Sequence, residues 1–183
     1  MSDDEIVFQP RTEAIFKIIV IGDPMVGKTS LLTKFASKKF KEQYIPTVGV
    51  NIVKEEIKIN DIIISLMLWD VAGQPQFYML HKPYFNGADG MMLVFDVTRT
   101  STFSNIKNWC NTTIKYGLSA IPRVLIGNKV DLKDERKIIQ PHADHLSEEL
   151  SAPYFETSAM TGENVDTLFH EIAVAVYQSK DKS

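Results

Sequence analysis

The chain has 183 residues, of which 44% are hydrophobic and 23% charged, which is typical of one globular domain and excludes a disordered or collagen-like chain. Its formal net charge of −3 excludes the basic surface that phosphate-backbone binding needs, so we expect no nucleic-acid partner. With Cys110 as the single cysteine, no internal disulfide can form. We expect Cys110 to be a small buried hydrophobe.

The first half of the chain predicts a strand, a loop and a helix, followed by a hairpin. Residues 15–21 are β-branched and apolar, and residues 28–36 carry leucines and a phenylalanine on one helical face. Residues 50–59 and 62–69 also have strand patterns, and the Asn-Asp pair between them is typical of a turn. An antiparallel hairpin is therefore expected.

The second half predicts further strands that alternate with helices. Residues 90–96 and 123–127 are apolar strands, and the segment between them has Phe103, Ile106, Trp109 and Cys110 at helical spacing. A helix over 141–150, a short strand over 153–155 and a last helix marked by apolar residues from Val165 to Val176 complete the pattern.

This alternation predicts an α/β fold with three layers, in which helices cover both faces of a sheet. We expect about six strands, mostly parallel with one antiparallel edge strand. Residues 14–178 would form one domain, with a flexible polar tail at 1–13 and a short tail at 179–183. Ligands of such sheets bind beyond the carboxyl ends of the strands.

Residues 22–29, Gly-Asp-Pro-Met-Val-Gly-Lys-Thr, have the pattern of a phosphate-binding loop, and they lie between a strand and a helix. Lys28 is expected to reach the β- and γ-phosphates, and the Thr29 hydroxyl to coordinate Mg²⁺. Backbone N–H groups and the helix N-terminus suit a polyphosphate. The expected contacts are Asp23, Pro24, Met25, Val26, Gly27, Lys28, Thr29 and Ser30. This pattern alone fits a nucleotide kinase or an ATPase equally well.

A second motif indicates which base is bound. The sequence Asn128-Lys129-Val130-Asp131 follows the strand at 123–127 and so lies at the same sheet edge. The Asp131 carboxylate can accept the N1–H and N2 amino hydrogens of guanine, a donor pair that adenine lacks. Such a site discriminates strongly, because a wrong base leaves buried polar groups unpaired. If this motif stood alone, we would interpret it as an ordinary polar segment at the point where a strand continues into a loop.

A third motif, Asp70-Val71-Ala72-Gly73-Gln74, follows the strand that ends at Trp69. Asp70 can hold Mg²⁺, through water, since this ion usually keeps several waters. Gly73 could offer its N–H to the γ-phosphate. Gln74 would orient the attacking water.

These three motifs, together with Thr47 in residues 44–50 and with Thr157-Ser158-Ala159, resemble the Ras superfamily of small GTPases over residues 14–178, and most closely its Rab branch. The resemblance implies GTP or GDP with Mg²⁺ as ligands, and hydrolysis of GTP by a nucleotide-dependent switch. It implies that Thr47 is a second Mg²⁺ ligand that senses the γ-phosphate. The further implied nucleotide contacts are Phe40 and Lys129 on the guanine ring, Ser158, Ala159, Tyr44 and Met160.

The resemblance also predicts surfaces for partners. Residues 40–50 and 73–85 match the two switches of the family, and residues 40–52 and 69–85 would bind effectors, exchange factors and GTPase-activating proteins. Trp69 and Tyr84 match two of three surface aromatics of the Rab branch, whereas Ile52 stands at the place of the third. For Trp69, plain core packing is an equal alternative.

Departures from the family pattern leave the rate of hydrolysis open. Pro24 replaces a small residue beside the γ-phosphate and removes a backbone donor. Two alternatives follow: the proline ring obstructs assisted hydrolysis, or the backbone donor at this position points away from the phosphate in any case. Pro75 stands where Rab-like chains usually have Glu, and Met160 where a Lys is frequent. No arginine lies in either switch, so we expect slow intrinsic turnover that depends on an activating protein.

Two alternative functions also fit the sequence. A GTP-locked binding module that does little chemistry is favoured by Pro24 and Pro75, and opposed by the intact Gln74, Thr47 and Thr29. A P-loop kinase is a more distant alternative. The sequence ends without C-terminal cysteines, so we expect no prenyl anchor in this chain. Separately, we expect a monomer with a cytoplasmic location, and membrane association is left open.

Overall fold

The computed structural model describes residues 12–37, 49–74 and 81–181. Within these ranges the chain alternates between strands and helices, as the sequence pattern predicts. The strands are β1 (Thr12–Ile21), β2 (Val50–Ile59), β3 (Ile62–Val71), β4 (Gly90–Asp96), β5 (Arg123–Asn128) and β6 (Tyr154–Thr157).

Helices connect most of these strands. They are α1 (Lys28–Ser37), α2 (His81–Phe85), α3 (Thr100–Ser104), α4 (Ile106–Lys115), α5 (Gln140–Leu150) and α6 (Val165–Asp181). A short 3-10 helix, Lys133–Glu135, follows β5.

The six described strands form one sheet in the order β2-β3-β1-β4-β5-β6. β2 pairs antiparallel with β3, and every other neighbouring pair is parallel. The predicted mostly parallel sheet with one antiparallel edge strand is therefore confirmed. Parallel pairing places the carboxyl ends of β1, β3, β4, β5 and β6 at a common edge.

Hydrophobic side chains alternate between the two faces of the sheet, because successive residues of a strand point in opposite directions. Ile18 and Val20 of β1 pack in a core with α1 and α6, whereas Ile19 and Ile21 pack in a second core with α4 and α5. Cys110 of α4 is 2% exposed in this second core, as expected of a small buried hydrophobe. Helices therefore cover both faces, which is the three-layer arrangement.

Regular structure extends past both predicted ends of the domain. β1 begins at Thr12, inside the predicted tail, because Thr12 pairs with Ile63 of β3, with a register shift between Thr12 and Ala14. α6 continues to Asp181, beyond the predicted end of the domain, and Lys180 in its last turn forms a 3.0 Å ion pair with Asp89.

The helix expected between β4 and β5 is divided at Asn105. The Asn105 carbonyl accepts from Asn108 N at 3.0 Å and from Trp109 N at 3.2 Å, so the turn there is tightened. The break has a consequence for the site, since it presents the Asn105 side chain to the loop that follows β1.

Candidate functional site

The loop of residues 22–29, here called the phosphate loop, curls around the amine of Lys28. Lys28 is the first residue of α1, yet its Nζ donates to the carbonyl oxygens of Gly22 at 2.7 Å and Asp23 at 2.8 Å. The Leu31 N–H bonds to Gly27 O at 2.9 Å, so the helix starts directly from the loop. The N–H groups of a first helical turn have no partner within the helix and can receive an anion.

Lys28 lies in an environment that disfavours its charge. Its side chain is buried, and this burial lowers the pKa of Lys28 to about 8, against the attraction of Asp70 and Asp23 and with added repulsion from Arg99. A polyphosphate beside Nζ would favour the charged ammonium and raise this pKa again. The residue is therefore suited to an anionic ligand.

Hard oxygen ligands meet where α1 approaches the end of β3. The Thr29 hydroxyl donates to Asp70 Oδ2, and Asp70 is fully buried. Asp70 lies within β3 rather than after it, paired with Val20 of β1 and Asn51 of β2. A hydroxyl and a carboxylate are oxygen donors of the kind Mg²⁺ prefers, so this pair fits the ion. Thr47 lies outside the described residues.

Gly73 packs directly against the phosphate loop. A Cβ placed on Gly73 would lie 2.3 Å from Gly22 O and 2.8 Å from Pro24 N, distances at which backbone must move. Gln74, the next residue, is partly buried. The glycine thus lets the segment that carries Gln74 approach the loop that carries Lys28.

Asn128, the last residue of β5, joins three loops through its amide. Its Nδ2 donates to Val26 O of the phosphate loop at 2.9 Å, and its Oδ1 accepts from Ala159 N and Thr157 Oγ1, both at 3.2 Å. Gly27 leaves room for this amide, since a Cβ there would lie 2.2 Å from Nδ2. Asn128 therefore fixes the phosphate loop relative to the loop after β6.

Asp131 and Ser158 come together at the same edge. Ser158 Oγ donates to Asp131 Oδ1 at 2.5 Å and accepts from Thr161 N at 3.0 Å. Ser158 is fully buried, whereas Asp131 is partly exposed, so its carboxylate can meet a ligand. Lys129 adopts φ 71°, a left-handed conformation unusual for a lysine, and its Nζ forms a 2.7 Å ion pair with Asp96.

Three residues that the sequence analysis did not select contact the phosphate loop, and a fourth, Asp96, contacts one of these three. Asp23 Oδ1 accepts from Asn105 Nδ2 at 2.6 Å and Trp109 Nε1 at 2.8 Å, and Arg99 Nη2 donates to Pro24 O at 2.8 Å. Asp96, the last residue of β4, pairs with both Arg99 and Lys129. Burial would raise the pKa of Asp96, but hydrogen bonds from Lys129 and Thr98 hold it below its usual value. The sequence offered one indication of a role for Asp96, namely its position at the carboxyl end of a predicted strand.

The remaining predicted contacts have different surroundings. Val26 is buried, Ser30 is partly buried, and Met25 and Met160 are 54% and 55% exposed, so their chains are open to a ligand or a partner. Phe40, Tyr44 and Pro75 lie outside the described residues, as do most of 40–50 and part of 73–85.

The predicted partner surface contains a mixed aromatic and cationic cluster. The Trp69 and Tyr84 rings are 6.4 Å apart, and Lys17 Nζ lies 3.8 Å from the Trp69 ring centroid. Trp69 is partly buried, and Ile52, its partner in the β2–β3 register, is 44% exposed. Trp69 is therefore neither a fully buried core residue nor a free surface aromatic. In the described ranges, no helix has the length and apolar character needed to cross a membrane.

The fold and the site define a P-loop protein whose loops meet at one sheet edge, and comparisons with known proteins agree. Residues 17–178 match the sequence profile of the Ras family. The chain is 41% identical to Ras-related protein Rab-1 of Theileria annulata over 169 residues, which cover 92% of this chain and 76% of that protein.

Two further relatives extend the range of organisms. Ras-related protein Rab-13 of Mesocricetus auratus is 38% identical over 87% of this chain and 78% of its own length. GTP-binding protein ypt1 of Schizosaccharomyces pombe is 35% identical over 87% of this chain and 79% of its own. The chain belongs to the Ras family of small GTPases and is similar to its Rab members.

Proposed function

We propose that this Rab-like GTPase acts as a switch in membrane traffic, binds GTP or GDP with Mg²⁺ in the site described above, and hydrolyses GTP slowly. The observation that carries the proposal is the joining of the loops after β1, β5 and β6 by the Asn128 amide. A single ligand that carries both phosphates and a base requires these loops to be held at fixed separation.

The phosphate loop would receive the phosphates. The carbonyl oxygens of Gly22 and Asp23 hold the Lys28 amine across the loop, and the amine would leave them for the β- and γ-phosphate oxygens. Because Lys28 is already held across the loop, little side-chain ordering is needed on binding.

Thr29 and Asp70 would hold Mg²⁺, Thr29 directly and Asp70 through water, with Thr47 as the proposed third contributor. The ion would neutralise phosphate charge as the bond to the γ-phosphate breaks. Proximity of Thr29 to Asp70 supports this assignment, since both oxygens belong to rigid elements.

The guanine base would be selected by Asp131, whose carboxylate accepts from the N1–H and the N2 amino group. Ser158 supports this role, because its 2.5 Å hydrogen bond fixes Asp131 Oδ1 and the nearby Ala159 N–H orients the loop. Lys129, Phe40 and Met160 would pack on the ring.

Hydrolysis would use Gln74 to orient the attacking water and the Gly73 N–H to hold the γ-phosphate. The close packing of Gly73 on the phosphate loop supports this, since it brings the segment that carries Gln74 against residues 22–24. Arg99 lies beside the same loop, but its donors contact Asp96 and Pro24 O, so we expect it to supply no arginine finger. Turnover would therefore be slow without an activating protein.

Effectors, exchange factors and GTPase-activating proteins would bind this chain at residues 40–52 and 69–85. The partly exposed Trp69, Tyr84 and Ile52 supply apolar area for this purpose. We propose a monomer whose GTPase domain is residues 14–178, extended at its ends by the first residues of β1 and the last turn of α6.

A GTP-locked binding module is the second candidate, and the contact between Pro24 and Gly73 favours it. Because Gly73 approaches Pro24 N so closely, the proline ring lies near the residue that precedes Gln74. A ring there could keep an activating arginine or the water from reaching the γ-phosphate.

Single-turnover hydrolysis separates the two candidates. The protein is loaded with GTP in Mg²⁺, and phosphate release and retained nucleotide are followed together for hours. The switch predicts measurable release below roughly 1 s⁻¹, and Gln74→Leu should slow it further. Retained GTP with no phosphate released would favour the locked module, and failure to retain any guanine nucleotide would overturn both.

A further inference from the structure

A buried carboxylate at the end of β4 lies between the two halves of the proposed nucleotide site. Asp96 is 1% exposed, and its Oδ1 accepts from Thr98 N at 2.9 Å and Thr98 Oγ1 at 2.7 Å. Its Oδ2 accepts from Lys129 Nζ at 2.7 Å and Arg99 Nε at 3.2 Å. One oxygen thus shapes the local turn, and the other binds two cations from different segments.

Arg99 carries the connection onward to the phosphate loop. While Nε contacts Asp96, Nη2 donates to Pro24 O at 2.8 Å, 75 residues away in sequence. The planar guanidinium can hold both acceptors at once because its donors have a fixed geometry, which a lysine ammonium on a flexible stem cannot reproduce.

We propose that Asp96 and Arg99 are positioning residues that link the phosphate loop to residues 128–131, here called the guanine-binding loop, so that nucleotide retention depends on both. The chain of contacts runs from Pro24 O through Arg99 and Asp96 to Lys129. The inference rests on the proposed guanine-nucleotide binding, since it names what holds two parts of that same site in place.

The conformation of Lys129 gives a physical reason why this link matters for the site. A lysine at φ 71° lies in a region that is unfavourable for residues with a Cβ, and such a conformation persists only where its surroundings enforce it. The ion pair with Asp96 is one such constraint. Without it, the lysine that would lie on the guanine ring loses its fixed position.

Besides its contact with Asn128, the phosphate loop has a further anchor that does not involve Arg99, which makes the link testable without loss of the fold. The Asp23 carboxylate accepts hydrogen bonds from Asn105 and Trp109. Removing the Arg99 contact should therefore loosen Pro24 while the loop remains attached at Asp23.

The test compares release of a fluorescent GDP analogue from the intact chain and from Asp96→Asn, Arg99→Gln, Arg99→Lys and the Asp96→Asn/Arg99→Gln double variant. Asparagine keeps an acceptor for Thr98 but places an NH₂ group opposite two donors. We expect release to be about tenfold faster in Asp96→Asn, because hydrogen bonds to charged groups are lost, and several-fold faster in Arg99→Gln. Glu149→Gln, which breaks the exposed 2.7 Å pair with Lys107, is the matched carboxylate-to-amide control.

The double variant distinguishes a link from two unrelated contacts. If Arg99 acts through Asp96, the double variant releases GDP more slowly than the product of the two single effects predicts. Arg99→Lys should resemble Arg99→Gln, since a lysine cannot bridge both acceptors.

Several results would overturn the link. Multiplicative effects would do so, as would an Arg99→Lys variant that behaves like the parent, or release rates that change no more than in Glu149→Gln. If Asp96→Asn does not fold, the two Arg99 variants decide alone. A parent chain that retains no GDP would overturn the proposed function and the link together, whereas unchanged variants of a GDP-retaining parent would overturn only the link.

Discussion

At the residue scale, the site depends on side chains that the fold holds in costly states. Lys28 is buried with its ammonium against backbone carbonyls, and Lys129 adopts a left-handed conformation. Strain and desolvation of this kind persist where a ligand or a network compensates for them. Both residues belong to motifs recognisable in the sequence, but their conformations depend on carbonyls and carboxylates that only the fold brings near.

Lys28 should make nucleotide affinity depend on pH. The pKa of Lys28 is lowered to about 8 in the nucleotide-free fold, so above this pH the amine is neutral and must take up a proton to bind phosphate. GDP affinity should therefore fall as pH rises from about 8 towards 10, by up to about tenfold per unit. Binding measured by calorimetry in buffers of different ionisation enthalpy would detect the uptake.

Lys28→Met is the control for this prediction, because it removes the titrating amine. Its affinity should be weak and nearly independent of pH in that range. The stability of the nucleotide-free protein should depend on pH in the opposite direction. Above about pH 8, Lys28 keeps its proton in the unfolded chain but loses it in the folded chain, so the free energy of unfolding should rise with pH. A GDP affinity that is constant from pH 8 to 10 in the parent chain would contradict the account.

Pro24 should limit assisted hydrolysis. Pro24→Gly removes the ring next to Gly73 and restores a backbone donor. Phosphate release in the presence of a Rab-type activating domain should therefore become at least about tenfold faster, because the acceleration that an arginine finger provides is far larger than this. Pro141→Gly, at the exposed start of α5, is the control and should leave the rate unchanged. Equal rates for Pro24→Gly and the parent would show that the ring obstructs nothing.

At the element scale, the hairpin, the parallel order and the helical layers follow from local patterns in the sequence, and the structure confirms them. Most strands have an apolar or alternating run, and the longer helices have an apolar face, so local information suffices for these features. The division of the helix at Asn105 and the link from Arg99 to Pro24 could not be predicted in this way. They depend on residues 82 and 75 positions apart in sequence that only tertiary packing brings together.

The packing of α6 on α1 should dominate the stability of one layer. The Phe169 ring is fully buried and stacks on Phe35 with centroids 4.0 Å apart. Phe169→Ala leaves a cavity and should lower the free energy of unfolding by about 3–5 kcal/mol. Urea denaturation at saturating GDP would measure this.

The neighbouring residue of α6 provides the comparison. His170 is exposed, so His170→Ala should change the free energy of unfolding by less than about 0.5 kcal/mol. Similar effects for the two substitutions would contradict the assignment of Phe169 to the core between α1 and α6.

At the scale of the whole molecule, one edge of the sheet carries the residues of the proposed nucleotide site. Five loops from distant parts of the sequence meet there because parallel strands end together, and the polar residues at the strand ends, Asp70, Asp96 and Asn128, connect them. The motifs predicted most of these residues and their order. Asp96 was not predicted, because its role depends on Lys129 and Arg99 being near at the same time.

Competition between GDP and ADP tests this central claim most directly. With Mg²⁺ present, the parent chain should retain a fluorescent GDP analogue against a large excess of ADP and release it to GDP, with a preference of at least about 10⁴ for guanine. Asp131→Asn replaces one of the two carboxylate acceptors with an NH₂ group opposite the guanine donors, and it should abolish most of that preference while phosphate contacts remain. Equal displacement by ADP and GDP from the parent chain would contradict the assignment of this edge as a guanine-nucleotide site.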